Sequence, residues 1–273
     1  MFAHEFVRNA YLAGTFIALG CGVVGWFVVL RGQLFAADAL THVAFVGAVA
    51  AAVLGFDERA GLFVLTLAVA GGMAALGRGQ ADDVVIGTVF AWILGIGVLL
   101  LAVLATSSEG GNGIAAANTL FGSIYSLTPG GSRLAAAIGL AVSAGVLLAL
   151  RPLLLTTLDE ELASVRGIPT RAVGVGFLAV LAVVTAESTQ AVGALLLLGL
   201  LAAPAGAAHR LTASPYRGLA LSALSAVVAM WGGLALSYQF ASLPPSSAII
   251  GLAGSGYAGA TLFAHARARA RHR

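Results

Sequence analysis

The stretch Leu34–Leu54, LFAADALTHVAFVGAVAAAVL, decides how this chain is read. Roughly 20 apolar residues rising about 1.5 Å each cross the hydrocarbon core of a bilayer as a helix, and this run is long enough. Two polar side chains interrupt it, Asp38 and His42. Their spacing of four places both on one helical face. An ionised aspartate at the centre of a membrane helix costs about 2.5–3.5 kcal/mol on insertion scales. A span that keeps such a pair is expected to turn it toward protein or a wet cavity, where a solute passes.

The rest of the chain is of the same kind. Of its 273 residues 60% are hydrophobic and only 9% charged, against about 25% charged in an ordinary soluble domain. The expected class is therefore all-α: a polytopic transmembrane helical bundle, with residues 1–273 forming one domain. All 14 basic residues are arginines, which give a net charge of +3. The lack of lysine excludes a Walker A ATPase site, a Schiff-base lysine and a Ser–Lys dyad. One cysteine, Cys21, permits neither an internal disulfide nor a cysteine metal cluster. The N-terminus does not read as a cleaved signal peptide.

Eight or nine spans are expected. On the nine-span reading they are Tyr11–Leu30, Leu34–Leu54, Gly61–Leu76, Val84–Ala105, Leu134–Leu150, Ala172–Thr185, Ala191–Ala208, Leu219–Phe240 and Ser247–Ala264. Thr106–Asn118 reads as a loop, and Thr119–Leu127 as too short to cross. If all nine cross, most arginines fall on one side, Arg31, Arg151, Arg166, Arg171, Arg210, Arg217 and the tail among them. The positive-inside rule makes that side cytoplasmic. Arg31 marks its edge, so Asp38 lies about 10 Å and His42 about 16 Å along the helix axis, near the midplane.

A carboxylate and an imidazole one turn apart can share one divalent cation. The mixed oxygen–nitrogen set suits Zn²⁺, Mn²⁺ or Fe²⁺ better than Ca²⁺. Two ligands hold an ion loosely enough for it to leave again. Two other readings stay open: an Asp–His hydrogen bond that joins helices, and a proton relay.

The most polar stretch of the second half is Thr156–Pro169, TTLDEELASVRGIP. It reads as a short helix with a capping box of Thr157 and Glu160. Asp159, Glu160 and Glu161 lie in its first turn and Arg166 in its last. Gly167 takes the left-handed position after it, and Pro169 blocks continuation. A charged helix of this kind can press into a partner's groove or simply be solvated.

Together these segments resemble the membrane permease subunit of zinc/manganese/iron-type ATP-binding-cassette importers. Ala37–Gly47 (ADALTHVAFVG) is similar to the family's Asp-Ala-Leu-Ser-His-Ala segment, with Thr41 for serine. Leu158–Gly167 (LDEELASVRG) resembles its cytoplasmic coupling helix, and Val192–Leu211 its Val-Gly-x-Leu-Leu…Pro-Ala span. Leu120–Ile124 (LFGSI) also fits. A histidine-rich external loop found in some zinc members is missing from Thr106–Asn118, which leaves the metal open.

The resemblance implies a permease homodimer, two cytoplasmic ATPase subunits that hydrolyse ATP, and an extracytoplasmic metal-binding protein. It implies no permanently bound cofactor: the divalent metal ion is cargo. Asp38 and His42 become the metal-contacting pair. Asp159, Glu160, Glu161, Arg166 and Gly167 become the ATPase-coupling set. Glu187, at the outer end of the sixth span, either receives the delivered ion or an arginine of the metal-binding protein, or is a solvated loop acid. His209 suits a helix C-terminus or lipid headgroups. The tail arginines suit anionic membrane lipid, and no nucleic-acid partner is expected. A proton-coupled secondary cation carrier using Asp38 and His42 is the rival reading, and an intramembrane hydrolase a weaker one.

Overall fold

A computed structural model describes residues 4–77, 82–106, 121–194, 197–240 and 242–271. The loop expected over Thr106–Asn118 lies outside these from residue 107 onward, as do Thr119, Leu120 and the Arg78–Ala81 part of the charged turn. Among the described residues the regular structure is helical: α1 (Glu5–Leu30), α2 (Leu34–Leu54), α3 (Glu58–Leu76), α4 (Asp83–Thr106), α5 (Pro129–Leu148), α6 (Leu150–Leu158), α7 (Glu160–Val165), α8 (Thr170–Val192), α9 (Leu197–Leu211), α10 (Pro215–Gln239) and α11 (Pro245–Arg271). Eight of them, all but α6, α7 and α9, are long and apolar enough to cross a membrane.

Helix α1 is the buried centre. It packs on α5, α8, α9 and α10, while α2, α3, α4 and α8 form a second group beside it. Small residues let backbones approach closely, as in membrane helix pairs generally. A Cβ on Gly22 would stand 2.6 Å from the Ala223 Cα, so α10 lies directly on α1. Gly47 of α2 and Gly61 of α3 meet face to face, each backbone filling the space a side chain would need. Gly14 against Met230 and Gly22 against Ala223 make α1 and α10 antiparallel. Gly199 against Ile250 and Gly206 against Tyr257 make α9 and α11 parallel. Among the described residues the chain therefore traverses the bundle nine times, once by the shortened α9. Arg31, Arg151, Arg166, Arg171, Arg210 and Arg217 gather at one end, and Arg8, Arg59 and Arg133 at the other.

Three expectations need correction. The seventh span, Ala191–Ala208, is not one helix. α8 continues to Val192 and stops at Gly193, whose φ of 94° favours glycine. α9 then starts at Leu197 and runs 15 residues, too few to cross alone. Second, Glu187–Gln190 is not a loop but the last turns of α8, because its polar groups are satisfied inside the protein. Thr189 Oγ1 donates to the Thr185 carbonyl at 2.6 Å, Ser188 Oγ lies 3.2 Å from Cys21 Sγ, and Glu187 meets Arg59. Third, the Thr157–Glu160 capping box does not form. Asp159 is the N-cap of α7, its Oδ1 accepting from the Leu162 N–H at 2.8 Å, and Thr157 Oγ1 donates to the Leu153 carbonyl instead. α6 and α7 are thus two helices hinged at Asp159. Pro152 opens α6 in its first turn, where a missing N–H costs little.

Part of the apolar segment Thr119–Leu127 is described. Ile124–Ser126 forms a single 3₁₀ turn over the arginine-poor end. It is fixed there by Tyr125 Oη donating to the Leu234 carbonyl at 2.9 Å, and by Ser246 Oγ donating to the Phe121 carbonyl at 2.7 Å.

Candidate functional site: a polar pair on α2 and a charged helix at the arginine-rich end

Helix α2 begins after the tight turn Arg31-Gly32-Gln33 and buries most of its length. Ala36, Ala37, Ala39, Leu40 and Thr41 are fully buried. Asp38 and His42 are not: their side chains keep 35% and 22% exposure, on the face that turns toward α4 and outward. Asp38 Oδ1 and His42 Nε2 stand 4.0 Å apart. That is too far for a direct hydrogen bond and leaves room for a shared partner. The His42 ring lies 5.5 Å from that of Phe90 on α4, and Phe35 packs edge-on to the same Phe90 at 6.2 Å. One aromatic residue thus walls both the pair and the approach to it. Thr41 donates to the Asp38 main-chain carbonyl at 2.7 Å, not to its carboxylate. Both carboxylate oxygens therefore stay free of Thr41. No third His, Cys, Asp or Glu joins the pair among the described residues.

The second region is the arginine-rich end. Asp159, Glu160, Glu161, Arg166 and Gly167 are all exposed there on or beside α7. Gly167 adopts φ 76° as expected, and the Ile168 N–H reaches the Ala163 carbonyl at 3.0 Å to close the helix end. Composition did not single out Leu158, Leu162 and Val165, which are 64%, 40% and 84% exposed. These apolar side chains stand exposed among the acids of α7. Leu162 and Val165, three apart, share a face of α7, and Leu158 lies just before the break at Asp159.

Arg31 connects the two regions. Its guanidinium lies 5.0 Å above the Phe177 ring of α8. Burial pushes this group below the usual arginine range, and the nearby Glu160 carboxylate opposes that shift.

Glu187 lies at the expected end of the bundle, but buried in a helix and not in a solvated loop. It is 3% exposed and faces Arg59 of α3, whose Nη2 donates to both carboxylate oxygens at 2.7 Å. It is neither solvated nor near Asp38 and His42, since it sits at the arginine-poor end. His209 meets the C-terminal part of α1: Nε2 donates to the Trp26 carbonyl at 3.1 Å, and the ring stacks on the indole with centroids 5.1 Å apart.

Comparisons with known proteins follow this layout. Over 246 residues the chain is 28% identical to the manganese transport system membrane protein MntC of Halalkalibacterium halodurans, covering 89% of this chain and 82% of that one. It is 28% identical over 240 residues to the chelated iron transport system membrane protein YfeD of Yersinia pestis, covering 87% and 79%. The solved structure of PsaBC from Streptococcus pneumoniae in complex with Fab contains a chain that superimposes with a TM-score of 0.81 at 25% identity, over 95% of this chain and 92% of that chain. An inward-facing metal-chelate type ABC transporter shares the fold, at a TM-score of 0.71 and 16% identity. The model of the ABC 3 transport family matches residues 3–264. With nearly its whole length inside that match, the chain belongs to the ABC 3 transport family.

Proposed function

We propose that this chain is the permease subunit of an ATP-binding-cassette importer that carries a divalent transition-metal ion, manganese, iron or zinc, across the cytoplasmic membrane. The whole chain acts as one permease domain. The observation that carries the reading is the Asp38–His42 pair: two metal-competent side chains left partly open on a helix whose neighbouring residues are buried. Relatives named for manganese and iron transport support the class of cargo.

In this reading Asp38 supplies an anionic oxygen and His42 a nitrogen, each replacing water on the passing ion. One chain offers two ligands, and a second copy facing it across the path would offer two more. That supports a homodimer with the ion held between α2 helices. Positive-inside bias makes the arginine-rich end cytoplasmic. A separate ATPase docks there on α6–α7 through Asp159, Glu160, Glu161, Arg166 and the apolar Leu158, Leu162 and Val165, and a metal-binding protein delivers the ion to the opposite end. Nucleotide-driven movement of α7 reaches α2 through Arg31. The buried pairing of Glu187 with Arg59 favours a fastening role for Glu187 over receipt of the ion.

The test is uptake of radioactive manganese by cells carrying the full transporter with Asp38→Asn or His42→Ala. Losing an outer partner of a metal ligand already costs about 10–100-fold in affinity, so losing a ligand should cut uptake at least about tenfold at equal expression. Unchanged uptake in both variants would remove the pair from the mechanism.

A further inference from the structure

On the side of α1 away from Asp38 and His42, helices α9, α10 and α11 leave a cavity of about 360 Å³ between them. Its walls include Ala207, Leu221, Val228, Gly232, Ala253 and Ala260. The one hydroxyl on the wall, Ser225 Oγ, donates to the Ser222 carbonyl of its own helix at 3.0 Å. Nothing on the wall thus requires a polar occupant. Along α10 the cavity runs from Leu221 to Gly232, about 16 Å of helix, or roughly half the hydrocarbon thickness. It begins near the arginine-rich end, at Leu211 of α9 and Leu221 of α10, and reaches past the middle of α10 and α11, to Gly232 and Leu252.

Three arginines stand where the groove reaches that end. Arg217 lies one turn beyond Leu221 on the same face of α10, and Arg267 two turns beyond Ala260 on the same face of α11. Arg210 adjoins Leu211 at the end of α9. All three are exposed, and none pairs with a carboxylate among the described residues. From Ser188 to Arg273 the sequence holds six arginines and no aspartate or glutamate. An apolar groove of this length with cations not paired to carboxylates near its arginine-rich end suits a lipid whose acyl chain fills the groove and whose anionic headgroup reaches the arginines.

We infer that the α9–α10–α11 groove is a binding site for an anionic phospholipid of the leaflet at the arginine-rich face. The site is separate from the ion pathway and does not depend on which metal is carried.

The full transporter, reconstituted in nanodiscs of equal phosphatidylglycerol and phosphatidylcholine with matched acyl chains, tests this. Lipid retained on the particle after exchange into detergent is counted by native mass spectrometry. Wild type should retain phosphatidylglycerol preferentially. Arg210→Gln with Arg217→Gln should reduce that preference at least about fivefold. Gly256→Leu places its side chain in open groove, since a Cβ there meets nothing within 4 Å. It should abolish retention of both lipids, and Ser225→Leu on the facing wall should do the same. Equal retention of the two lipids by wild type overturns the proposal. So does undiminished retention in both groove-filling variants. A change in the number of permease chains per particle on filling the groove would show that a second chain occupies it, and would overturn the proposal as well.

Discussion

Replacing Glu187 by glutamine should destabilise the folded protein severely, and by an amount the structure bounds. The Arg59 and Glu187 side chains are only 19% and 4% exposed, with 2.7 Å between Nη2 and each carboxylate oxygen. Removing one member of such a pair leaves an uncompensated charge and costs about 3–5 kcal/mol. At about 2–4 °C per kcal/mol for chains of 150–250 residues, the melting temperature should fall by about 6–20 °C. The assay is thermal unfolding of the purified, detergent-solubilised permease. The companion is Arg59→Met with Glu187→Met, which removes both charges and keeps much of the volume. Replacing a buried pair by apolar groups is often neutral, so the double variant should recover most of the loss. A fall below about 3 °C for Glu187→Gln, or a double variant no better than the single one, would refute the assignment of this pair as the fastening between α3 and α8.

Other outcomes are expected elsewhere in the molecule. Gly47→Leu drives a side chain into the Gly61 backbone and should cost about 1–3 kcal/mol, seen as a lower melting temperature. Asp159→Ala removes the α7 cap, worth about 1 kcal/mol. It should weaken copurification of the ATPase while leaving the permease's melting temperature within a few degrees of wild type. Cys21 is fully buried, so a thiol-reactive maleimide should label the native protein slowly and the denatured protein completely. Rapid native labelling would show an opening beside α1 and α8.

The helical class and the shared, partly open face of Asp38 and His42 were legible because both follow from local rules. Length and hydropathy give spans, and a spacing of four gives one face. The charged α6–α7 region was half legible. Gly167 announced its own backbone conformation, but the cap went to Asp159 rather than Thr157. Both residues qualify chemically, and only the geometry after α6 decides between them. Glu187 was misjudged because a polar run reads as a loop wherever its partners are out of sight. Arg59 lies 128 positions away, and nothing local indicates that the two meet. The interruption at Gly193 was equally hidden, since glycine inside an apolar run is common in membrane helices and marks a break only when the next helix is redirected.

The glycine contact between α2 and α3 and the ion pair between α3 and α8 have a mechanical consequence when taken together. With no side chain between Gly47 and Gly61 to act as a bearing, α2 cannot slide past α3, and Arg59 ties α3 in turn to α8. The three helices form a stiff plate, and Asp38 and His42 ride on it within the first three turns of α2, next to the turn that holds Arg31. Any tilt of that plate would carry carboxylate and imidazole together and preserve their spacing.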